Sequence, residues 1–318
     1  MPRLIKIGTR ASPMAVHQAE QVTADLRAHD ADVSVELVKI TTSGDMWLGE
    51  LSKLGGKGAF IREIDRALID EEIDLAVHCL KDIPGDVPPP AGTTFAAHLA
   101  REDIRDAAIT RTGTSLAELP GGAVVGTSSV RRAAQIRLRF PHLAIASLYG
   151  NANTRLARLD EGHFDAIILA MSGLHRIGLT DRVSEVLPVE VMCPPIGAGI
   201  IVLQCRTTDH KLRELAGRLA DADTTHHATA ERTMLHTLQG HCNSPIAGYA
   251  GTEPHGALSL RAMVFSLDGS QWHDAHEWGP ADDPAALGVS VGAALLRKGA
   301  RNLIDTIQHY ERESRRGG

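Results

Sequence analysis

The chain has 318 residues, of which 43% are apolar and 23% charged, the composition of an ordinary folded globule with room for two or three domains. Its formal net charge of -6 argues against a general nucleic-acid-binding protein. No segment approaches the roughly 18 unbroken apolar residues of a membrane span, and the N-terminus lacks the apolar run of a secretory signal. We therefore expect a cytoplasmic protein without a membrane or nucleic-acid partner.

The N-terminal part of the chain alternates strand and helix signals. Strands are predicted at residues 4–8, 33–40 and 73–78, and helices from Ser12 to about Ala28 and at 59–69. Ser12 followed by Pro13 is a favourable helix start, because an N-cap hydroxyl precedes a proline at the first helical position. This order predicts an α/β domain with a largely parallel sheet, which a proline-rich stretch at 84–92 ends.

A second block repeats this plan, and a third differs from it. The second block has strands at 106–110, 123–126, 143–148 and 164–170 and helices at 129–139 and 153–161. Residues 193–199 resemble a domain crossing, and the strand at 200–205 could return to the first domain. The third block has helices at 224–238, 284–297 and 300–310 and strands at 246–249, 257–266 and 271–277. We predict an α/β domain at 1–98 with 198–218, another at 102–193, and a small α+β domain at 220–318.

A candidate anion site lies where the strand ending at Gly126 meets the next helix. Thr127, Ser128 and Ser129 supply hydroxyls there, and the free N–H groups and positive end of the helix favour an anion. Arg131 and Arg132 in the first turn have the wrong sign for this dipole, a conflict that an anionic ligand would remove. The alternative is two solvated arginines on a surface helix.

Other charged residues also follow predicted strands. Arg10, Arg155 and Arg176 do so, and 26 of the 33 basic residues are arginine, which binds carboxylates or phosphates in bidentate fashion. Ligands of open α/β sheets sit beyond the carboxyl ends of strands, so two domains could present anion sites across one cleft. Codon bias is the alternative for the arginine excess. Lys81 beside Asp82 could bind a polar ligand, shuttle protons or form a structural ion pair.

Two other patterns do not carry a site. The glycine-rich stretch 53–60 departs from the phosphate-loop pattern and favours a lid or hinge. The histidines at 226, 227, 236 and 241, with Cys242, fit no standard metal spacing, so we expect no metal. The four cysteines form no C-x-x-C pair and should be reduced.

Taken together, these pieces resemble the hydroxymethylbilane synthase (porphobilinogen deaminase) family. The matching stretches are 8–13, 53–60, 76–78 with 81–82, 101–103, 126–132, 150–151 with 154–155, 230–232, and Cys242 with Pro245. They follow the family's order over nearly the whole chain, so the set is specific even where single motifs are not.

The resemblance implies three domains, of which two are like periplasmic binding proteins around a cleft and the third carries a cysteine. It implies a dipyrromethane cofactor, built from the substrate and held by Cys242 through a thioether, for which a thiolate is a suitable nucleophile. The family joins porphobilinogen units to it head to tail with loss of ammonia. It then releases the linear tetrapyrrole hydroxymethylbilane, a haem precursor. A cytoplasmic monomer is also implied.

The resemblance also assigns roles to individual residues. Asp82 matches the catalytic aspartate, which faces the pyrrole N–H groups, stabilises the azafulvene cation left when ammonia departs, and handles protons. Cofactor binding falls to Lys81, Asp82, Thr127, Ser128, Ser129, Arg131, Arg132, Arg155 and Cys242, and substrate binding to Arg10, Ser12, Arg155 and Arg176. Because each pyrrole carries two carboxylates, a growing chain gives the arginine excess a use.

Four residues depart from the family pattern. Cys79 stands where Ser is usual, Tyr149 where Arg is usual, Ala198 where Gln is usual, and His241 in place of a common Gly. The chain is therefore either an ordinary tetrapyrrole-forming enzyme or a diverged relative with another substrate, a shorter product or little turnover. A third alternative is a non-catalytic two-domain protein that binds an anionic ligand and carries no adduct on Cys242.

Overall fold

The computed structural model of the chain describes residues 3–47, 58–85, 87–240 and 244–306. These residues form two five-stranded sheets flanked by helices and one three-stranded sheet covered by two helices. The predicted α/β class and the three-domain arrangement are confirmed. Within the described ranges, no helix combines the length and apolar character needed to cross a membrane.

The first sheet has the strand order β2-β1-β3-β10-β4. Its strands are β1 (Arg3–Arg10), β2 (Val33–Ile40), β3 (Leu75–Cys79), β4 (Thr93–His98) and β10 (Ile201–Arg206), with helices α1 (Pro13–His29), α2 (Ser43–Met46), α3 (Arg62–Ile69) and α7 (His210–Gly217). Ala19, Val22 and Leu26 share one face of α1 and pack against Ile5 and Ile7 of β1. Burial of this face holds the start of α1 at the carboxyl end of β1.

The second sheet repeats this arrangement in the order β7-β6-β8-β5-β9. Its strands are β5 (Asp106–Thr110), β6 (Val124–Gly126), β7 (Ala144–Ala146), β8 (Ala166–Ala170) and β9 (Glu185–Leu187), with helices α4 (Val130–Arg139), α5 (Ala152–Asp160) and α6 (Met171–Arg176). Ala108, Val125, Ile136 and Ile168 lie in the core on one side of this sheet. The similar order places the ends of β3 and β8 in corresponding positions.

The third domain is a three-stranded antiparallel sheet packed against two helices. Its elements are α8 (Ala222–Thr237), β11 (Ile246–Thr252), β12 (Leu258–Phe265), β13 (Trp272–Gly279) and α9 (Pro284–Arg297), followed by helical residues 300–306. Glu231 of α8 is fully buried and joins this domain to the others, because its Oε1 lies 2.6 Å from Arg101 Nη1. Its carboxylate also accepts the N–H groups of Gly197 (2.7 Å) and Ala250 (2.8 Å).

Two crossing segments connect the five-stranded sheets and touch each other. The N–H group of Glu102 in the first donates to the carbonyl of Gly199 in the second (2.9 Å). Gly199 has a φ of 73°, and a Cβ there would lie 2.4 Å from the Glu102 carbonyl oxygen. Glycine is therefore required twice over, by backbone conformation and by lack of space.

Each of the two sheets is largely parallel, as expected, since four of its five strands run in the same direction and one runs against them. β1 pairs in parallel with β2 and β3, whereas β10 runs antiparallel to β3 and β4. In the second sheet, β5 runs antiparallel to β8 and β9 in the same way. The antiparallel strand is in each case the one that follows a crossing between domains, β10 in the first sheet and β5 in the second. The alternation of strand and helix signals in the sequence does not reveal this reversal.

Candidate functional site

A cavity of about 520 Å³ lies between the domains that contain the two five-stranded sheets. On one side it is lined by residues that follow β1 and β3, and on the other by residues that follow β6, β7 and β8. This is where ligands of open α/β sheets bind. The N-termini of α1 and α5, capped by Ser12 and Asn151, also border it and favour negative charge.

The structure brings most of the predicted site residues into this one cleft. Its lining includes Arg10, Ser12, Lys81, Asp82, Ser128, Arg132, Arg155 and Arg176. Thr127, Ser129 and Arg131 lie behind the lining. Ser129 is the N-cap of α4, and Thr127 accepts the N–H group of Ser129 (3.2 Å). The predicted attachment residue, Cys242, lies outside the described residues.

Asp82 faces the cleft from a short helical turn that follows β3. Its Oδ2 lies 3.4 Å from Arg10 Nη1, and its side chain keeps a quarter of its surface exposed. Arg10 is itself held by a bidentate contact with Asp45 and by the ring of Phe60, 4.3 Å from its Cζ. Burial opposes the charge of Arg10, but Asp45 and Asp82 outweigh it and raise its pKa. Arg10 therefore anchors the Asp82 carboxylate.

Asp106 at the start of β5 is the counter-ion of both predicted anion-binding arginines. Its Oδ2 lies 2.7 Å from Arg131 Nη2, and its Oδ1 lies 2.6 Å from Arg132 Nη2. Arg131 also donates to the Cys193 carbonyl, and Arg132 to the Ile168 carbonyl (2.9 Å). Burial raises the pKa of Asp106, but the two arginines outweigh it and hold that pKa well below its usual range. Both arginines are buried and neither is a solvated surface cation.

Two further arginines keep unused hydrogen-bonding capacity in the cleft. Arg155 donates through Nε to the Gly150 carbonyl (2.8 Å), while burial and the nearby charge of Arg132 lower its pKa to about 10. Arg176 donates through Nε to Glu102 Oε1 (2.9 Å), and its buried Nη2 lies 2.9 Å from the same oxygen as an ion pair but has hydrogen-bond geometry to none of the described residues. Buried donors of this kind favour an acidic ligand.

Known proteins with similar sequences identify the family. A model of the "Porphobilinogen deaminase, dipyromethane cofactor binding domain" matches residues 5–214, and one of the "Porphobilinogen deaminase, C-terminal domain" matches residues 225–297. Porphobilinogen deaminase 2 of Streptomyces coelicolor is 56% identical over 308 residues, 97% of this chain and 98% of that protein. The chain belongs to the porphobilinogen deaminase family. Porphobilinogen deaminase of Acidithiobacillus ferrooxidans is 46% identical over 310 residues, 97% of this chain and 100% of that protein.

Similarity to solved structures is weaker. The methionine binding protein MetQ superposes with a TM-score of 0.44 and 15% identity, covering 73% of this chain and 96% of that chain. A similarity of this size carries no argument about the ligand. The porphobilinogen deaminase assignment therefore rests on sequence.

The cleft fits the dipyrromethane of the porphobilinogen deaminase family. That group carries carboxylates, and Arg155 and Arg176 present cationic N–H groups that the described residues leave partly unused. Ser128 and Arg132 border the same space. These residues would hold the carboxylates, and Asp82 would face the pyrrole N–H groups.

The departures from the family pattern lie in different surroundings. Tyr149 lines the cleft, and so does Cys79, whose Sγ accepts a hydrogen bond from Gln18 Nε2 (3.2 Å). Ala198 is buried in a crossing segment, where its carbonyl accepts a hydrogen bond from Arg101 Nε (2.9 Å). His241 lies outside the described residues. Tyr149 is therefore the described departure that replaces a usual cation at the cleft itself.

Sequence reasoning missed the carboxylates that organise the arginines: Asp45 beside Arg10, Asp106 beside Arg131 and Arg132, and Glu102 beside Arg176. Each is distant in the chain from its arginine, so no local spacing connects the two. The one available signal was Asp106 itself, an acidic residue at the start of a strand of small and apolar residues.

Proposed function

We propose that this protein is a transferase that condenses porphobilinogen units head to tail with loss of ammonia. The units are joined to a dipyrromethane attached through Cys242, and the product is hydroxymethylbilane. The observation that carries this proposal is the cleft in which Asp82 faces Arg132, Arg155 and Arg176 from the opposite domain. The full-length family match supports the same activity.

When bound, the dipyrromethane supplies the pyrrole carbon to which the first porphobilinogen is joined. The Asp82 carboxylate accepts a hydrogen bond from the substrate pyrrole N–H group. It also stabilises the positive charge that develops on porphobilinogen as ammonia leaves. Arg10 holds the Asp82 carboxylate in place through their 3.4 Å contact. Asp82 can then take up the proton released from the accepting pyrrole carbon once the new bond has formed.

The cations on the second domain bind the carboxylates. Arg132, Arg155 and the Ser128 hydroxyl are assigned to the cofactor, and Arg155 and Arg176, with Arg10 and Ser12 of the first domain, to the incoming substrate. Lys81, beside Asp82, assists from the first domain. Arg131, Thr127 and Ser129 support the cofactor side from behind, since Ser129 caps the helix that carries Arg131 and Arg132.

Intact mass spectrometry of the purified protein tests the covalent cofactor. We expect the wild-type chain, expressed with porphobilinogen available, to carry a two-pyrrole adduct that is absent from Cys242→Ser, because the thioether needs the cysteine sulfur. Cys205→Ser is the matched control and should keep the adduct, since Cys205 is buried in the first sheet. An unmodified wild-type chain would contradict the proposal.

The second candidate function is that of a diverged porphobilinogen deaminase, which Tyr149 in the cleft lining favours. A tyrosine cannot make the bidentate, charge-assisted contact of an arginine with a carboxylate. Analysis of the products formed from porphobilinogen separates the two candidates. A tetrapyrrole supports the first, whereas a shorter chain, or an adduct without turnover, supports the second.

The molecular context is proposed in the same way. We infer a cytoplasmic monomer with domains at 1–98 with 198–218, 102–193 and 220–318. The place of β10 between β3 and β4 supports the split first domain. Light scattering coupled to size-exclusion chromatography measures the mass in solution, and a value of twice the 34.0 kDa chain would contradict the monomer.

A further inference from the structure

One face of α8 in the third domain rests on the chain segment that carries the catalytic carboxylate. Ala228, Arg232 and Leu235 are spaced four and three residues apart and therefore share that face. Ala228 belongs to the apolar cluster that contains Leu80 and Ile83, the two residues that flank the Lys81-Asp82 pair. The helix thus supports this segment from outside the first domain.

Arg232 fixes the backbone just beyond that segment. Its Nη2 donates a hydrogen bond to the Pro84 carbonyl (3.1 Å), and its Cζ lies 5.3 Å from the centroid of the Phe95 ring of β4. Burial lowers the pKa of Arg232. A partly buried cation held by a carbonyl and an aromatic ring is a fixed contact between α8 and the first domain.

Leu235 lies between Gly85 and Gly240. Gly85 is close in sequence to Asp82, and Gly240 is close in sequence to Cys242. A Cβ added to Gly85 would lie 2.3 Å from Leu235 Cδ2, and one added to Gly240 would lie 2.3 Å from Ile246 Cδ1 and 2.8 Å from Leu235 Cδ1. Gly240 also donates its N–H group to the Leu235 carbonyl (3.0 Å) at the end of α8. Gly85 is three residues after Asp82, and Gly240 is two residues before Cys242.

We infer that Leu235 is a positioning residue: its two methyl groups set the separation between the Asp82 segment and the chain that leads to Cys242. This inference rests on the proposed function and adds a residue that touches neither substrate nor cofactor. Reaction rates fall steeply when a catalytic group is misplaced by about 1 Å. A side chain in contact with both segments controls that distance directly.

Gly85→Ala tests the inference in the full-length protein. The added methyl group has no space beside Leu235, so either the Leu235 side chain or the Asp82 segment must move. We expect kcat to fall at least tenfold, whereas KM changes less than threefold and the two-pyrrole adduct remains complete by intact mass. Leu235→Ala, or Leu235→Val if the alanine variant does not fold, should lower kcat in the same way by removing the spacer.

Leu295→Ala is the matched control. Leu295 is a fully buried leucine of α9 in the core of the third domain, where it shares a cluster with Leu235. Its truncation should lower the melting temperature as much as Leu235→Ala does, but should leave the kcat of the folded protein within threefold of wild type. Equal kcat losses in the two variants would assign the effect to general destabilisation and overturn the inference.

The double variant Gly85→Ala/Leu235→Ala gives the sharper result. The methyl group added at residue 85 occupies space that the shortened residue 235 vacates, so we expect kcat to recover at least fivefold over Gly85→Ala alone. Losses that simply multiply would overturn the inference, as would single variants with wild-type kcat. A wild-type protein without adduct or product would instead overturn the proposed function, and the inference with it.

Discussion

Asp106, Arg131 and Arg132 form a buried group of three charges behind the cleft. The carboxylate is 1% exposed and contacts both guanidinium groups. The sequence pattern predicts an external anion for these two arginines, and the structure supplies part of that negative charge from within the same domain. Two cations against one carboxylate still leave a net positive charge at the Arg132 edge of the cleft.

Asp106→Asn should destabilise the protein strongly. Removal of the shared carboxylate leaves two buried guanidinium groups without their counter-ion, and breaking a buried pair in this way costs about 3–5 kcal/mol. Urea denaturation measures the free energy of unfolding. Asp103→Asn is the control, because Asp103 and Arg105 form a partly exposed pair, and such pairs contribute about 1 kcal/mol or less. Equal losses in the two variants would contradict a structural role for Asp106.

Asp65 of α3 makes a pH-dependent contribution to stability. It is 9% exposed, and its Oδ1 has no hydrogen-bond partner in the described parts of the chain. Burial raises its pKa from 3.8 to about 6, although a hydrogen bond from Gln204 opposes the shift. The native state therefore binds more protons than the unfolded state between these two values, and stability from this group falls as pH rises through that window.

Asp65→Asn should therefore raise the free energy of unfolding more at pH 7.5 than at pH 4.5. The difference should be about 2 kcal/mol, on the basis of 1.36 kcal/mol per pKa unit. Urea denaturation of variant and wild type at both values of pH measures this difference. His78, whose pKa burial lowers to about 4, titrates with the opposite sign but is present in both proteins and cancels. A gain that does not change with pH would contradict the prediction.

At the scale of elements, the sequence predicts best where one local pattern decides the structure. Ser12 with Pro13 starts α1 as expected, and β2 and α9 have the predicted bounds. The short elements β4, β9, α2, α6 and α7 were missed. β4 follows the proline-rich stretch with a weak apolar pattern, and it is a strand because β10 pairs with it. Such pairing depends on residues more than one hundred positions away, which no local window contains.

The contact between the two crossing segments leads to a prediction for Gly199→Ala. The substitution combines a φ of 73° with a Cβ only 2.4 Å from the Glu102 carbonyl oxygen. Gly113→Ala is the control, since Gly113 has a φ of 75° and an added Cβ there meets no atom within 4 Å of the described chain. The free energy of unfolding of the control should fall by about 1–2 kcal/mol because of its backbone conformation. That of Gly199→Ala should fall distinctly more. Equal losses by urea denaturation would show that the segments can separate freely.

At the scale of the whole molecule, the Arg101–Glu231 pair joins all three domains. Arg101 in the first crossing segment donates to the carbonyls of Ala198 and Ala250, while Glu231 accepts N–H groups from Gly197 and Ala250. The glutamate is fully buried. The domain plan was readable from the order of elements, but this junction was not, because its partners come from four separate parts of the chain.

Glu231→Gln should uncouple the third domain from the rest. The amide leaves the buried Arg101 without its counter-ion, a loss of about 3–5 kcal/mol. Because this loss falls on the junction, we expect calorimetry to show one unfolding transition for the wild type and two for the variant. Glu214→Gln is the control, since Glu214 of α7 forms an exposed pair with Arg218 at the C-terminal cap of that helix, and the variant should keep one transition. A single transition in Glu231→Gln would contradict the uncoupling.

The place of β10 in the first sheet has a consequence for the order in which the protein acquires its shape during translation. The second sheet consists of consecutive residues from Asp106 to Leu187, so every strand that it needs leaves the ribosome before β10 does. The first sheet has a gap between β3 and β4 until Ile201–Arg206 emerge. The first sheet can therefore be completed only after all strands of the second sheet are available for folding, although most of its own strands are synthesised earlier.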